Sequence, residues 1–367
     1  YYGEHISTCS SDLKIRIFEK DGDHWKLSCE LPRAHTASIR MVVWARPDFF
    51  GQVLASGSSD GSICIYQEST ETGTGRKIWR QRHRIVDSTE IVTDIGFSPA
   101  REGKLRLAAC SRGRNSVRVY VASTSAQQLS QWSLQGTFSL NEVDTIQCLC
   151  WCPSVFSNPM ILLGGGSKAA ICRELEEKKD GMSEGPERKW EKLVELTGHE
   201  GNVLDVAWAP LSGRISHLCV TACQDHKIRI YEVSFNKEWS LTPEALMRPP
   251  KSDSKGAEVK LTCVLKESSP VWRVDWDLGG NCLSSIDDYG LLSIWGAEKN
   301  GRNFVKIREH IIGDGKSLEI LNQKVKDGNS LFESKDLKNE NTENPKIKIE
   351  SDNFFDMGNV IVKPRSI

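Results

Sequence analysis

Three groups of residues in this chain could carry chemistry. His35 and His199 stand in a chain that also offers serines and the aspartates Asp12, Asp60, Asp225 and Asp288. That is the raw material of a nucleophilic triad, in which a histidine takes a serine proton and an acid orients the ring. Cys148, Cys150 and Cys152 alternate with Leu149 and Trp151, which puts all three thiols on one face of a strand. Zinc ligation there would need further ligands from distant parts of the chain, and no His, Cys, Asp or Glu cluster supplies them, so no metal site is expected. Gly164-Gly165-Gly166-Ser167-Lys168 looks like a phosphate cradle, but it lacks the G-x-x-x-x-G-K-[ST] spacing. The neighbouring residues Asp287 and Asp288 point to opposite sides of a strand and make no paired acid.

The elements that must position these residues explain most of them. Five short segments alternate in character and end near an aromatic: Met41 to Ala45, Asp94 to Pro99, Cys148 to Pro153, Asp205 to Pro210, and Val274 to Asp277. A second pattern follows each, with small residues, a turn, branched residues at period two, and a closing aromatic. Phe18, Tyr66, Tyr120, Arg173, Tyr231 and Trp295 are the closing positions, 48, 54, 53, 58 and 64 residues apart. The copy from Gly164 to Cys172 is degenerate, with Arg173 at the aromatic position. A third marker keeps the same period: Trp25, Trp79, Trp132 and Trp190 are 54, 53 and 58 apart. Each unit reads as strand, turn, strand, turn, strand and a variable fourth strand, with Asp60-Gly61 supplying tight hairpin chemistry. Repeated four-stranded units define an all-β propeller, here of six units. His35 and His199 then occupy one repeat position, just before a first strand, and read as hydrogen-bonding parts of a blade. The aspartates recur likewise as turn formers that partner those histidines. The Gly164 run falls in a second strand, where glycine marks a close backbone approach.

The propeller is expected over residues 1–298. Its first blade begins in its second strand, and one further strand of about eight residues is expected upstream of Tyr1. Residues 234–257, with Pro243, Pro249 and Pro250, read as an insertion in the fifth blade. Residues 299–367 form a polar, charged tail expected to be disordered, in which Phe354-Phe355-Asp-Met357 and Val360-Ile-Val362 read as a stray apolar cluster, with a short docking motif as the alternative. The chain holds 48 Lys+Arg against 49 Asp+Glu, which gives no support for general nucleic-acid coating or polybasic membrane attachment. No apolar run approaches the roughly 20 residues of a membrane helix. Twelve cysteines in 367 residues fall well below the roughly 8–10% of a disulfide scaffold and read as small buried hydrophobes in a reducing compartment.

Gly198-His199 and the Ser-Asp-x-x-Ile-x-Ile-aromatic marks resemble WD repeats, although no copy carries Trp-Asp at its close. Thr8 to Asp12, Arg33-Ala-His35, Trp44-Ala-x-Pro47, Gly51 to Ser56, Leu129-Ser-Gln-Trp-Ser-Leu134, Trp208-Ala-Pro210 and Ser269-Pro-Val-Trp-Arg-Val-Asp-Trp276 narrow the likeness. They resemble the Seh family of nucleoporins, homologues of the Sec-thirteen coat protein, across all six repeats. The Gly164 repeat and the tail depart from that pattern.

The resemblance implies an open six-bladed WD-repeat propeller and a non-enzymatic scaffold without a cofactor. It implies a helical-stack nucleoporin as partner, which inserts a blade in trans between the first and last blades. It also implies other nucleoporins of the Y-shaped nuclear-pore complex and subunits of an amino-acid-sensing coat-like complex as partners. The implied locations are the nuclear pore and the vacuolar or lysosomal membrane surface. An open ring leaves sheet borders to be covered. They are expected at Ile6, Thr8, Ile15, Ile17 and Phe18 in the first blade, and at Leu283, Leu291, Ile294 and Trp295 in the last. A closed propeller that reads peptides at its central mouth is the alternative. It would require a seventh unit that the repeat count does not supply. A propeller hydrolase or lyase would require clustered catalytic groups that the repeat does not leave over.

Overall fold

The computed structural model describes residues 3–22, 24–31, 35–47, 50–86, 90–99, 104–122, 129–140, 145–154, 158–177, 187–214, 216–235, 257–298 and 301–311. These residues form 23 strands in six antiparallel sheets, and no helix occurs among them. The first sheet has three strands, β1 (His5–Cys9), β2 (Ile15–Asp21) and β3 (His24–Leu31). The second contains β4 (Ile39–Trp44), β5 (Val53–Ser58), β6 (Ile63–Thr70) and β7 (Lys77–Ile85). The third contains β8 (Val92–Phe97), β9 (Arg106–Ser111), β10 (Ser116–Ala122) and β11 (Trp132–Ser139). The fourth contains β12 (Cys148–Trp151), β13 (Met160–Gly165), β14 (Lys168–Glu177) and β15 (Glu187–Leu196). The fifth contains β16 (Val203–Trp208), β17 (His217–Cys223), β18 (Lys227–Phe235) and β19 (Ala257–Lys266). The sixth contains β20 (Val271–Trp276), β21 (Cys282–Asp287), β22 (Leu291–Ala297) and β23 (Phe304–Ile311). Each sheet is one blade of a propeller.

Two boundaries differ from the sequence reading. The last blade takes its fourth strand, β23, from residues beyond 298, so the propeller runs on to Ile311. The repeat signal fades there because a blade's outermost strand is covered on few sides and tolerates varied residues. Strand β18 includes Ser234 and Phe235, and β19 opens on Ala257, which trims the expected insertion at both ends. Its residues 236–256, and tail residues 312–367 with the 354–362 motif, lie outside the described residues.

Burial inside a blade follows strand position. Every residue of β5, β9, β13 and β17 is buried, which explains their runs of small and apolar residues without polar alternation. Outer strands such as β3 are mostly exposed. In every blade the backbone register shifts between the two outermost strands, at Ile17/Phe18, Ile65/Tyr66, Val119/Tyr120, Ile171/Cys172, Ile230/Tyr231 and Ile294/Trp295, and blades two, three, five and six shift again between their first two strands. Such a bulge adds local twist and re-aims the residue that follows. The fourth blade shows that Cys172, not Arg173, takes the closing position. Cys172 packs in the seam with the third blade, as Tyr120 packs in the seam with the second. Arg173 sits one residue further on and pairs with Glu191.

Blades pack face to face through five apolar seams. One seam joins blades one and two around Ile15, Ile17, Ile39, Leu54 and Tyr66. The next joins two and three around Met41, Ile65, Ile95 and Tyr120. Those between three and four, four and five, and five and six centre on Ile161, Tyr231 and Trp295. Polar links reinforce them. The Leu149 amide donates to Asp94 Oδ2 at 2.8 Å, and the Val274 amide to Asp205 Oδ2 at 3.0 Å, so each carboxylate ties its own inner strand to that of the next blade. Buried Arg106 reaches Glu174 of blade four at 2.7 Å. Among the described residues no sixth seam joins the last blade to the first.

The glycine run in β13 has a steric reason. A Cβ at Gly164 would lie 2.7 Å from both Cys148 Sγ and Val203 Cγ1, and one at Gly165 would lie 2.0 Å from the Thr145 carbonyl oxygen. Gly165→Ala is therefore expected to destabilise the chain by about 1–3 kcal/mol or more, as overpacking does. Gly136→Ala on β11, where nothing lies within 4 Å, is expected to be near neutral. Thermal midpoints of the two variants check this.

Candidate partner-binding surface

The residues with chemical potential resolve into turn networks. His35 is buried, with Nδ1 2.9 Å from Ser62 Oγ and Nε2 2.7 Å from Ser56 Oγ. Asp60 accepts from the Thr36 amide at 2.8 Å and from the Ser62 amide at 2.9 Å, and its Oδ1 lies 3.4 Å from His35 Nδ1. Burial opposes the Asp60 charge, but hydrogen bonds from Ser62 and Thr36 outweigh it and hold the carboxyl well below its usual range. In the fifth blade His199 Nε2 lies 2.8 Å from Thr221 Oγ1. Asp225 there pairs with both guanidinium nitrogens of Arg229, at 3.1 and 2.6 Å, instead of with His199. The expected His–Asp partnership thus holds in blade two and is replaced in blade five. In blade six the turn is held by buried Asp287, which accepts the Tyr289 and Leu291 amides at 3.0 and 2.9 Å. Asp288, expected in that role, instead accepts from Trp272 Nε1 at 2.8 Å. Asp12 accepts from Ser10 Oγ and from Arg16 in the first blade.

The twelve cysteines form no disulfide, eight of them buried and four half-buried. Burial pushes the Cys64 thiol up to about 11 and that of Cys172 to about 12, the opposite of what a nucleophilic thiolate needs. One expectation is corrected: His5, Glu19 and Glu68 bring three possible metal-ligand atoms within 4.8 Å of one another.

The open side of the ring has a definite composition. In blades two, three, five and six the closing aromatics Tyr66, Tyr120, Tyr231 and Trp295 are 3%, 2%, 2% and 5% exposed, each packed in the seam with the preceding blade. Phe18 holds that position in blade one, where no preceding blade lies, and is only half-buried. The tryptophan series behaves alike. Trp79, Trp132 and Trp190 pack on the first-strand aromatics Trp44, Phe97 and Trp151, at ring distances of 5.6, 6.5 and 5.9 Å. Among the described residues no such ring stands beside Trp25, which is 43% exposed. Register places Ile6 opposite Phe18 and Phe18 opposite Leu27, so one apolar row crosses the whole open face of blade one. Thr8, Arg16 and Glu30 form the next row.

Blade six presents the other wall. Ile65, Val119 and Ile230, which face the following blade elsewhere, are fully buried. Ile294 stands at that position in blade six and is half-buried, as is Leu292 two residues before it. Exposed Val305 and Ile307 on β23 lie on the same face, Ile307 close over Gly296.

The structure thus separates the nine residues expected at the opening. Ile6, Thr8, Phe18 and Ile294 lie on the open faces, and Leu291 lies half-buried at the start of β22 opposite Ile311. Ile15, Ile17, Leu283 and Trp295 do not. They are buried against blade two or blade five, because alternate residues of a strand point to opposite faces. Blades stack face on face, so a missing blade uncovers sheet faces, with the strand edges turned toward the axis and the rim. Trp25, Leu27, Leu292, Val305 and Ile307 were not singled out from sequence. Trp25 is the copy whose own blade shows only three strands among the described residues, without the first strand that carries Trp44, Phe97 and Trp151 in blades two, three and four.

Six repeated four-stranded sheets with these turn networks, closed by five seams, define an open WD-repeat β-propeller. Residues 25–67 and 190–232 match the family described as WD domain, G-beta repeat. The chain is 29% identical to nucleoporin SEH1 of Saccharomyces cerevisiae, over 81% of this chain and 90% of that protein. It is 31% identical to nucleoporin seh1 of Schizosaccharomyces pombe, with 81% and 87% covered, and 32% identical to nucleoporin SEH1-A of Xenopus laevis, with 81% and 79% covered. The chain belongs to the SEH1 family of nucleoporins.

Burial lowers the pKa of His199 to about 4. Its neutral form is favoured in the fold, so its contribution to stability is complete above the unfolded value near 6.5 and is lost as pH falls toward 4. His199→Gln is expected to show a smaller drop in thermal midpoint between pH 7 and pH 5 than the parent chain.

Proposed function

We propose that this chain is a non-enzymatic scaffold subunit of the nuclear pore, where it holds a helical-stack nucleoporin by accepting a blade from it. One observation carries this reading: the position that buries Tyr66 and Tyr120 in the other seams leaves Phe18 only half-buried in blade one, and Trp25 is 43% exposed where its counterpart Trp79 is half-buried. A blade added between the first and last sheets would cover Ile6, Phe18, Trp25 and Leu27 on one side, and Leu292, Ile294, Val305 and Ile307 on the other. Fully burying each such side chain is worth about 1.5–3 kcal/mol, enough for a few of them to act as anchors. The names of the relatives support placement at the nuclear pore among other nucleoporins. The family resemblance extends the proposal to the Y-shaped complex, and to an amino-acid-sensing coat-like complex at the vacuolar or lysosomal surface. The closed, peptide-reading alternative finds no seventh blade among the described residues.

The test is affinity purification of the tagged full-length chain from native extract, with parent, Phe18→Asp/Trp25→Asp and Ile294→Asp forms compared. A helical-stack nucleoporin is expected in stoichiometric yield with the parent and reduced by roughly tenfold or more in both opening variants, as for hot-spot anchors. Leu134→Asp, exposed on the outer strand of blade three, is expected to retain it. A parent chain recovered as a monomer, or opening variants that keep the partner in full, would overturn the proposal.

A further inference from the structure

The seam between the first two blades holds a group of polar atoms that the propeller does not use. His5 opens β1, Glu19 pairs opposite it on β2, and Glu68 comes from β6 of the second blade. One donor atom from each lies within 4.8 Å of the other two. His5 Nε2 and Glu19 Oε1 are 3.5 Å apart. The His5 and Glu68 side chains are only 12% and 13% exposed, while Glu19 is 43% exposed. His5 Nε2 and Glu68 Oε1 are each shut off from solvent and accept or donate no hydrogen bond. Buried polar atoms left unpaired cost free energy, so two of them converging on one point, beside a third donor, call for a ligand. A carboxylate oxygen and an imidazole nitrogen are both metal ligands, and one cation satisfies both at once.

We propose that His5, Glu19 and Glu68 form a binding site for a zinc-class first-row divalent cation that clamps the first blade to the second. Imidazole with two carboxylates suits zinc and its neighbours, whereas magnesium and calcium prefer all-oxygen sites. Zinc sits about 2.0–2.2 Å from nitrogen and oxygen ligands, so donors sharing one ion lie about 3.4 Å apart in a tetrahedron. The His5–Glu19 pair already has that separation, and rotation about the Glu68 side-chain bonds brings in the third donor. The competing cation is weak: Lys77 Nζ lies 3.6 Å from Glu68 Oε2 on a side chain that is 63% exposed. Glu19 leaves a solvent-facing side for water as the fourth ligand. The ring of Trp44 stands 6.1 Å from that of His5 and walls the site toward blade two. Because the ligands come from two blades, the ion would fasten the blade that borders the opening, on the face away from it.

The experiment uses the full-length chain with any polyhistidine tag removed. Zinc is titrated by calorimetry, thermal midpoints are taken with zinc and with magnesium, and cobalt(II) serves as the spectroscopic probe. One zinc site is expected, with a midpoint raised by zinc and not by magnesium. Its affinity is expected to fall roughly tenfold or more in His5→Ala and Glu68→Gln, since even outer-shell changes cost that much. The cobalt spectrum is expected to lack a thiolate charge-transfer band. Glu68→Gln keeps the side-chain shape, and it alone decides the matter if His5→Ala fails to fold. Absence of zinc binding, binding unchanged in Glu68→Gln, or a thiolate band placing the ion on the cysteines would overturn the proposal.

Discussion

The inner blades of this propeller are sheets with two apolar faces, each packed on a neighbouring sheet. A strand such as β5 or β9, buried along its whole length, cannot stand at a water interface. A closed ring of six blades would need six seams, and the described residues form five. One face of the first blade and one face of the last are therefore left without a neighbour. The rest of the molecule's behaviour follows from that shortfall.

Several devices keep the seams that do form in register. Strand alternation turns the closing residue toward the preceding blade, whether that residue is Tyr66, Tyr231 or the smaller Cys172, and a bulge on the outer strand falls opposite it. Turn networks around His35, Asp60, Asp225 and Asp287 satisfy backbone amides that would otherwise be stranded where strands reverse. At the inner rim, Asp94 and Asp205 receive amides from the next blade. Burial lifts the Asp94 carboxyl to about 6, against the lowering effect of the nearby Arg273 guanidinium.

The opening is built from the same positions as the closed seams. Phe18 occupies the place of Tyr66, Trp25 that of Trp79, and Ile294 that of Ile65. Contiguous exposed apolar residues on a folded domain mark an interaction surface. Here their spacing is already that of a blade seam, so the shape of the expected occupant is another sheet.

Six units, their all-β character and the repeat position shared by His35 and His199 were legible in the sequence. Each of these rests on local chemistry repeated at a fixed period: branched residues at every second position, Asp-Gly turns, and recurring Tyr and Trp. Less was legible wherever the repeat weakened, as at the Cys172 closure, the Asp287 turn and strand β23. Which side of a blade a residue faces is not a local property. Ile15 and Ile17 read from sequence like Ile6 and Phe18, yet the first pair is buried against blade two and the second faces the opening. Strand alternation separates the two sets, but only the placement of the neighbouring blade says which set is covered. The same holds for His5, Glu19 and Glu68, far apart in the chain and joined only by the packing of one blade on the next.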